Sequence, residues 1–260
     1  MRGAYALLAA GLAPAAFATI DYTVKPLDGE LEIKMAFEAN GPTTLKMPNW
    51  APGSYSYSYP GKAVKGETAF AGTLASPLTK EGDNTWKLDA RGPVTVTYRV
   101  PAPLSDGTIH YSGPSTYLYV DGRKAEDVRL TFHIPKTFMI AVGLNPVGGN
   151  DRRYTAPTYD VLADNPVTMG AFLMDRYTVR GKPHFIAMRG VAKKNVDRKY
   201  LIKACKFISE MQGDYFGDLP YDRYVWHFAV NDRPDGAGGL EHLSSTQISL
   251  ASGVGPRAVG

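Results

Sequence analysis

The chain has 260 residues, with 29 Lys and Arg against 25 Asp and Glu, which gives a formal net charge of +4 at pH 7. These charges are scattered and form no basic stripe, which argues against a nucleic-acid partner. Cys205 is the only cysteine, so no internal disulfide can form. The length suits one large domain or two ordinary ones, and we expect two unequal parts.

The first 18 residues have the pattern of an export signal. Arg2 precedes an apolar run over residues 4–12, and Ala16-Phe17-Ala18 offers small residues for cleavage. The run is much shorter than the roughly 20 residues needed to cross a bilayer. We therefore expect a signal peptide over residues 1–18 and a mature protein, from Thr19, that is exported to the periplasm or the medium without a membrane segment.

The next part of the chain has the pattern of short strands. Residues 31–38, 94–100 and 128–134 alternate apolar and polar side chains with the period of a half-buried strand. Shorter candidates are residues 22–24, 44–47, 86–88, 117–120 and 138–142, and turn signals between strands include Asp28-Gly29, Asn40-Gly41-Pro42, Asp106-Gly107 and Asp121-Gly122. About eight strands without an intervening helix predict a mainly β fold, with an antiparallel β-sandwich over residues 19–175.

The pattern changes after Arg176. Residues 177–180 and 184–189 predict a hairpin around Gly181-Lys182-Pro183. A strand over residues 224–228, a polar loop over 231–236 and an edge strand over 240–250 follow later. Together with one helix, these elements predict the start of an α+β domain over residues 176–260, truncated at Gly260.

The helix is predicted over residues 195–215, with Gly213 and Gly217 marking its end. Its proposed apolar face consists of residues at spacings of three and four, namely Leu201, Cys205, Ile208, Met211 and Tyr215. Cys205 on this face is interpreted as a buried thiol and not as a nucleophile.

Gly238-Gly239-Leu240-Glu241-His242 is the strongest candidate for a binding site. A carboxylate beside glycine-lined backbone can bind the ammonium group of a peptide's first residue while the strand hydrogen-bonds the peptide. Adjacent side chains of a strand point to opposite faces, so Glu241 and His242 cannot both reach one site. We expect Glu241 to anchor the amine, with Gly238, Gly239 and Leu240 offering backbone contact. The alternative is a glycine turn followed by a solvated surface charge.

Other conspicuous residues have structural interpretations. Tyr55, Tyr57 and Tyr59 could stack on a sugar or a peptide, but an aromatic row on one strand face is more typical of packing. Asp164-Asn165-Pro166 is interpreted as a turn initiator rather than a carboxylate site. His184 and His227 lie in two predicted strands and are interpreted as core or surface histidines, not as zinc ligands.

Three separated motifs carry a family resemblance. They are Trp50-Ala51-Pro52-Gly53-Ser54-Tyr55, Leu162-Ala163-Asp164-Asn165-Pro166-Val167 with Gly170 and Phe172, and Gly238 to His242. In this order and spacing the chain resembles the front part of the glycyl aminopeptidase-like metallopeptidases, thermolysin-related enzymes with an amino-terminal β domain. One departure is that the family usually carries an arginine shortly after its serine-tyrosine pair, whereas Ser56-Tyr57-Ser58-Tyr59-Pro60 follows here.

The resemblance implies a zinc aminopeptidase that acts on peptides with a free amino terminus and a small first residue, such as glycine or alanine. Such enzymes place a His-Glu-x-x-His helix after the edge strand. No such pentapeptide occurs here, so the zinc ligands and catalytic residues are expected just beyond Gly260, and this chain alone is expected to be inactive.

Two other functions stay open. One is a non-catalytic exported β-sandwich module that binds peptide or glycan. The other is an inactivated relative, which predicts an exposed apolar face on the helix over residues 195–215. No feature of the sequence indicates an oligomeric state.

Overall fold

A computed structural model of the chain describes residues 19–190, 195–231 and 238–251. The strands are β1 (Ile20–Pro26), β2 (Glu30–Lys46), β3 (Lys65–Ala71), β4 (Leu74–Ser76), β5 (Thr79–Lys80), β6 (Thr85–Pro101), β7 (Thr108–Tyr111), β8 (Tyr119–Val120), β9 (Val128–Phe132), β10 (Met139–Ala141), β11 (Asn145–Val147), β12 (Asn150–Ala156), β13 (Val167–Gly170), β14 (Leu173–Val179), β15 (Lys182–Arg189), β16 (Tyr224–Asn231), β17 (Gly238–Glu241) and β18 (Ser245–Ala251). The helices are α1 (Tyr159–Ala163) and α2 (Arg198–Phe216), with 3-10 turns at Pro60–Ala63 and Gly113–Ser115. The predicted mainly β fold is confirmed.

The predicted export segment, residues 1–18, lies outside the described residues. Within the described ranges, no helix has the length and apolar character needed to cross a membrane.

Ten strands form the largest sheet, in the order β11-β12-β9-β1-β2-β6-β3-β4, with β5 paired to β6 and β8 to β2. The alternating segments predicted at residues 31–38, 94–100 and 128–134 lie in β2, β6 and β9. Their apolar side chains are buried in one core, as the period of two requires; Leu31, Ile33 and Val96 are fully buried. The main strand predictions are therefore confirmed.

Several details of the predicted sandwich are wrong. Strands β2 and β6 have 17 residues each and pair along their full length. Asn40-Gly41-Pro42, predicted as a turn, therefore lies inside β2, with Gly41 at a φ of 129°. Continuous pairing with β6 overrides the local turn signal. Helix α1 interrupts the strands, and β1 pairs with β9 in parallel.

A three-stranded sheet, β10-β13-β7, forms the middle layer of the molecule. Ile109 and Met169 belong to the main core with the large sheet. The alternate residues His110 and Thr168 face the five-stranded sheet β14-β15-β16-β18-β17 and hydrogen-bond to it. Because both its faces are covered, β13 is buried at all four positions.

The five-stranded sheet contains the second half of the chain. β15 and β18 pair in parallel with β16, while β14–β15 and β17–β18 are antiparallel hairpins. The first hairpin turns at Arg180 and Gly181, both at positive φ, which confirms the predicted hairpin. The predicted single edge strand over residues 240–250 is wrong, because the chain reverses between Glu241 and Ser245.

Helix α2 confirms the predicted helix and part of its predicted apolar face. It begins after Asp197, whose Oδ1 accepts a hydrogen bond from the Tyr200 amide at 3.0 Å, and it ends at Gly217 in the left-handed conformation. The side chains of Ile208, Met211 and Tyr215 are 40, 55 and 84% exposed. Leu201 and Cys205 are buried as predicted, and the remaining buried positions continue at intervals of four residues, at Ser209 and Gly213.

Small residues explain which side of helix α2 packs against the five-stranded sheet. Ser209 Oγ lies 3.0 Å from the Tyr177 hydroxyl on β14, and a Cβ on Gly213 would lie 2.8 Å from Arg180 Nε. The helix therefore approaches the sheet closely along this side. The prediction of a buried Cys205 is confirmed, and burial raises the pKa of its thiol to about 12.

Candidate functional site

Strand β17, which carries the Gly238 to Glu241 segment, lies at the edge of the five-stranded sheet. It pairs with β18 on one side, and no strand of the described residues pairs with its other side. The His242 amide donates to the Ser245 carbonyl at 2.9 Å. Because hydrogen-bonded pairs alternate in an antiparallel ladder, the backbone groups of Gly239 and Glu241 point toward the free edge. A peptide could extend the sheet there.

Glu241 and Leu240 lie on opposite faces of this edge. Glu241 opposes Thr246, on the face that packs with Ile248 toward α2, whereas Leu240 opposes Gln247 on the other face. The Glu241 side chain is exposed and forms no hydrogen bond or ion pair with the described residues. Its carboxylate is therefore available to an external cation.

A cavity of about 290 Å³ borders the same strand. Gly238, Gly239 and Leu240 line it together with Gln247 and His227, but Glu241 does not. The four predicted binding residues therefore do not all line the same cavity. Three of them border the cavity, and the carboxylate lies outside its lining.

Asp164 anchors the turn that follows β17. Its Oδ1 accepts from His242 Nδ1 at 2.9 Å, and its Oδ2 accepts from the Leu243 amide at 2.7 Å. Neighbouring Asn165 accepts through Oδ1 from Ser244 Oγ at 3.0 Å. Asp164 follows α1 as a turn residue, in agreement with its interpretation as a turn initiator, and its carboxylate in addition holds a distant turn. These contacts also explain why the chain reverses here.

The turn that contains Trp50 meets β17 from the other side. Trp50 Nε1 donates to the Ser54 carbonyl at 2.8 Å and closes this turn. Gly53, at a φ of 75°, touches Leu240 so closely that a Cβ would lie 1.8 Å from Leu240 Cδ1. The three motifs singled out in the sequence therefore converge on one strand, although they are far apart along the chain.

The tyrosines after this turn do not pack. Tyr55, Tyr57 and Tyr59 are exposed and lie outside any strand, so the interpretation of an aromatic row on a strand face is wrong. Tyr55 and Tyr57 instead border a cavity of about 480 Å³ with Trp50.

A chain of hydrogen bonds joins the middle sheet to the five-stranded sheet. Gln247 lies at its centre, where Nε2 is 2.8 Å from His242 Nε2 and Oε1 is 2.5 Å from His110 Nε2. Thr168 Oγ1 continues the chain, at 2.8 Å from both His110 Nδ1 and His227 Nδ1. With the contact of His242 to Asp164, six side chains form one series: Asp164, His242, Gln247, His110, Thr168 and His227.

The donors and acceptors of this series follow one direction. An ionised Asp164 can only accept, so His242 carries its proton on Nδ1 and accepts from the Gln247 amide nitrogen. Gln247 Oε1 then accepts from His110 Nε2–H, and His110 Nδ1 accepts from the Thr168 hydroxyl. The hydroxyl in turn accepts from His227 Nδ1–H. All three imidazoles are neutral in this arrangement.

Burial favours the neutral state of His110 and His227. Desolvation, followed by the nearby charge of Arg189, lowers the pKa of His110 to about 4. Desolvation, followed by the proximity of His110, lowers the pKa of His227 well below its ordinary value. His227 Nε2 is buried without a hydrogen-bond partner, as an acceptor left at the end of the series would be.

The two histidines considered as zinc ligands do not meet. His227 aligns with Ala187, three residues from His184, and the odd spacing places them on opposite faces of the sheet. His184 lies in the core against Tyr177, with Nε2 at 2.9 Å from the Tyr221 hydroxyl, as expected for a core histidine. Among the described residues, no three His, Cys, Asp or Glu side chains group together as a metal site would require.

Sequence reasoning missed the central members of the hydrogen-bonded series. His110 and Thr168 occupy the alternate positions of short strands, where a two-layer sandwich would expose them to water. Polar residues on both β7 and β13 were the available signal that this face contacts a further polar layer.

A solved structure shares the fold of this chain. An aminopeptidase N family protein from Idiomarina loihiensis aligns with a TM-score of 0.82 and 27% identity, covering 90% of this chain and 42% of that one. The chain thus spans less than half of that protein. An M1 zinc metallopeptidase from Deinococcus radiodurans aligns with a TM-score of 0.49 and 13% identity, covering 89% and 59%. A variant of the same enzyme, solved with a Tyr-Ser-Ala substrate, aligns with a TM-score of 0.49 and 13% identity, covering 88% of this chain and 58% of that one.

Comparison with curated proteins finds no match. A family model described as the peptidase M61 N-terminal domain matches residues 19–171, which is more than half of the chain. The resemblance to an aminopeptidase-like metallopeptidase is thereby confirmed. The chain belongs to the peptidase M61 N-terminal domain family.

Proposed function

We propose that the chain is the front part of an exported zinc metalloaminopeptidase that removes amino-terminal residues from peptides. In this proposal, residues 19–175 form the β domain and residues 176–260 begin the catalytic domain. The observation that carries it is the free edge of β17, where the Glu241 carboxylate has no partner among the described residues.

The chemistry follows from this geometry. A peptide adds to the free edge by hydrogen bonds to the backbone of Gly239 and Glu241, which holds its first residues extended. The protonated amino terminus then pairs with the Glu241 carboxylate, a charge-assisted contact that a peptide with a blocked amine cannot form. This selects for cleavage at the amino-terminal end.

Zinc is expected in the complete protein, where it would activate a water molecule. The described residues do not fit a zinc site, because no three potential ligands group together. The role of this chain is therefore to position the substrate. Membership of a peptidase family, and the fold shared with an aminopeptidase N family protein, support this proposal. Export is supported by the signal-like sequence of residues 1–18.

The proposal is tested by replacing Glu241 with Gln in the complete protein. For peptides with a free amino terminus, loss of a charge-assisted contact should lower kcat/KM by about 10- to 100-fold. Glu210→Gln is the matched control, because Glu210 is an exposed glutamate of α2 and should leave kinetics unchanged. Unchanged kinetics in the Glu241→Gln enzyme would remove this residue from the site.

A second candidate function is the non-catalytic module that binds peptide or glycan. It is favoured by the exposed cluster of Trp50, Tyr55 and Tyr57 around a cavity, since exposed aromatic side chains suit stacking on sugar rings. Tryptophan fluorescence during titration with an oligosaccharide or an acetylated peptide tests it. Saturable quenching that Tyr57→Ala removes would support the module, and no response to either probe would eliminate it.

The exposed apolar face of α2, predicted for an inactivated relative, is present. The same exposed face is expected if the chain is the front part of a larger peptidase, as proposed above. The face therefore does not distinguish these two interpretations.

A further inference from the structure

A cleft of about 610 Å³ opens beside the start of β16, between the five-stranded sheet and the β10–β12 region. It is separate from the β17 edge, because β16 and β18 lie between β15 and β17 in the sheet. Four cationic and two acidic side chains line it: Lys136, Arg152, Arg176, Arg223, Asp151 and Asp222. The lining therefore carries a formal excess of two positive charges.

Two of these guanidinium groups contact the same aromatic ring. Arg223 Cζ lies 4.5 Å from the centre of the Phe185 ring, and Arg176 Cζ lies 5.5 Å from it. Neither arginine forms a hydrogen bond or ion pair with the described residues. Burial lowers the pKa of Arg223; nearby Tyr154 opposes this shift, and the like charge of Arg176 adds to it. Its Nε is buried without a hydrogen-bond partner.

The acidic residues of the cleft form no ion pair with Arg176 or Arg223. Asp222 Oδ2 accepts a hydrogen bond from Asn145 Nδ2 at 2.7 Å. Asp151 is 84% exposed at its side chain, and the ion pair it forms within the described part of the chain is with Arg152, at 3.5 Å. Arg152 Nη1 is also buried without a partner. Guanidinium groups held this way normally pair with a carboxylate or a phosphate, whose oxygens match their fork of donors.

We propose that this cleft binds a phosphate group, held between Arg176 and Arg223 with Arg152 on the third side. A dianion matches the excess of two positive charges, and its oxygens can accept hydrogen bonds from the guanidinium groups of Arg176 and Arg223, which form none with the described residues. Phe185 holds both guanidinium planes in place by cation–π contact. The phosphate can be free inorganic phosphate or part of a phosphate ester, since both present the same group.

The test is titration of the full chain with inorganic phosphate, O-phosphoserine and acetate at constant ionic strength, followed by calorimetry and by the NMR signals of Phe185. We expect saturable binding of the phosphates and none of acetate. Tighter binding of O-phosphoserine than of phosphate identifies an ester as the ligand, and the reverse order identifies the free ion. Absence of phosphate binding in the millimolar range overturns the proposal.

Variants separate a built site from a general charge effect. Arg176→Gln with Arg223→Gln should weaken phosphate binding by about tenfold for each arginine removed. The control is Arg91→Gln with Arg153→Gln, two exposed arginines whose loss changes the net charge equally. Equal loss in both double variants, or wild-type affinity in the first, overturns the proposal. If the first double variant does not fold, the single variant Arg176→Gln, at an exposed position, is measured instead. Wild-type affinity for phosphate in that variant overturns the proposal.

Discussion

Asp164 and His242 are joined by a 2.9 Å hydrogen bond between Oδ1 and Nδ1, across 78 positions of sequence. Asp164 follows helix α1 in the part of the chain that matches the family model, while His242 follows the edge strand β17. The same carboxylate also accepts from the Leu243 amide at 2.7 Å. One side chain of the first part therefore sets the position of the proposed substrate-binding edge.

Replacing Asp164 with Ala should destabilise the protein. The variant leaves the buried His242 imidazole and the Leu243 amide without acceptors, which costs about 2 kcal/mol of unfolding free energy. Urea denaturation of the full chain measures the change. Asp160→Ala is the control, because Asp160 is an exposed residue of α1 whose side chain, among the described residues, forms a single ion pair, with Lys124. It should change stability by less than about 0.5 kcal/mol, and equal losses in the two variants would contradict the proposed anchor.

The hydrogen-bonded series predicts the tautomers of three histidines. His227 and His242 should carry the proton on Nδ1, and His110 should carry it on Nε2, because only this arrangement satisfies each contact in turn. Long-range 1H–15N correlation NMR at neutral pH distinguishes the tautomers. Observation of an Nε2–H tautomer for His242 would refute the assigned direction.

Gln247→Glu should disturb the same series, because a carboxylate cannot donate to His242 Nε2. The His242 Nε2 acceptor would then face a carboxylate oxygen, and a negative charge would stand between two sheets. We expect a loss of about 1–3 kcal/mol of unfolding free energy at pH 8, where the introduced carboxylate is ionised. Gln212→Glu, at an exposed position of α2, is the matched control and should be neutral. A Gln247→Glu protein as stable as this control would show that the series contributes little.

Stability should fall as the pH is lowered from about 6.5 to about 4. His110 and His227 have lowered pKa values in the folded protein, so the unfolded chain binds more protons in this window. Each such histidine removes about 1.4 kcal/mol of unfolding free energy per pH unit below its ordinary pKa. His184, whose pKa burial also lowers, adds to the slope.

Urea denaturation between pH 4 and 7 measures this slope. His110→Gln should reduce the slope by the contribution of one proton, about 1.4 kcal/mol per pH unit. His133→Gln, at an exposed position, is the control and should leave the slope unchanged. An identical slope in wild type and the His110→Gln protein would contradict the lowered pKa of His110.

Gly53→Ala should destabilise the protein and displace Leu240. The positive φ of 75° alone costs about 1 kcal/mol for alanine, and the new Cβ would overlap Leu240 Cδ1. Gly72→Ala is the control for the backbone cost, since Gly72 has a φ of 58° and no atom within 4 Å of the added Cβ. Gly53→Ala should therefore lose more unfolding free energy than Gly72→Ala. This difference should shrink when Gly53→Ala is combined with Leu240→Ala, which removes the overlapping atom. Equal losses for both glycines would show that the turn does not contact β17.

Some features of this protein follow from local sequence. The alternation of Leu31, Ile33 and Met35 predicted a half-buried strand, because successive side chains of extended backbone face opposite sides. Asp197 and Gly217 likewise bound helix α2, since a capping carboxylate and a left-handed glycine act within a few residues. The Gly238 to Glu241 segment was also recognisable as a strand beside glycine-lined backbone.

The tertiary structure decided the rest. Ile208 and Met211 have the spacing of a buried face, yet close approach to β14 favours Ser209 and Gly213, whose small size matters only once the partner sheet is present. Likewise, the sequence around Gln247 does not indicate that its side chain hydrogen-bonds to both His242 and His110. Local preferences act over a few residues, whereas burial and hydrogen bonding depend on which distant segments the fold brings into contact.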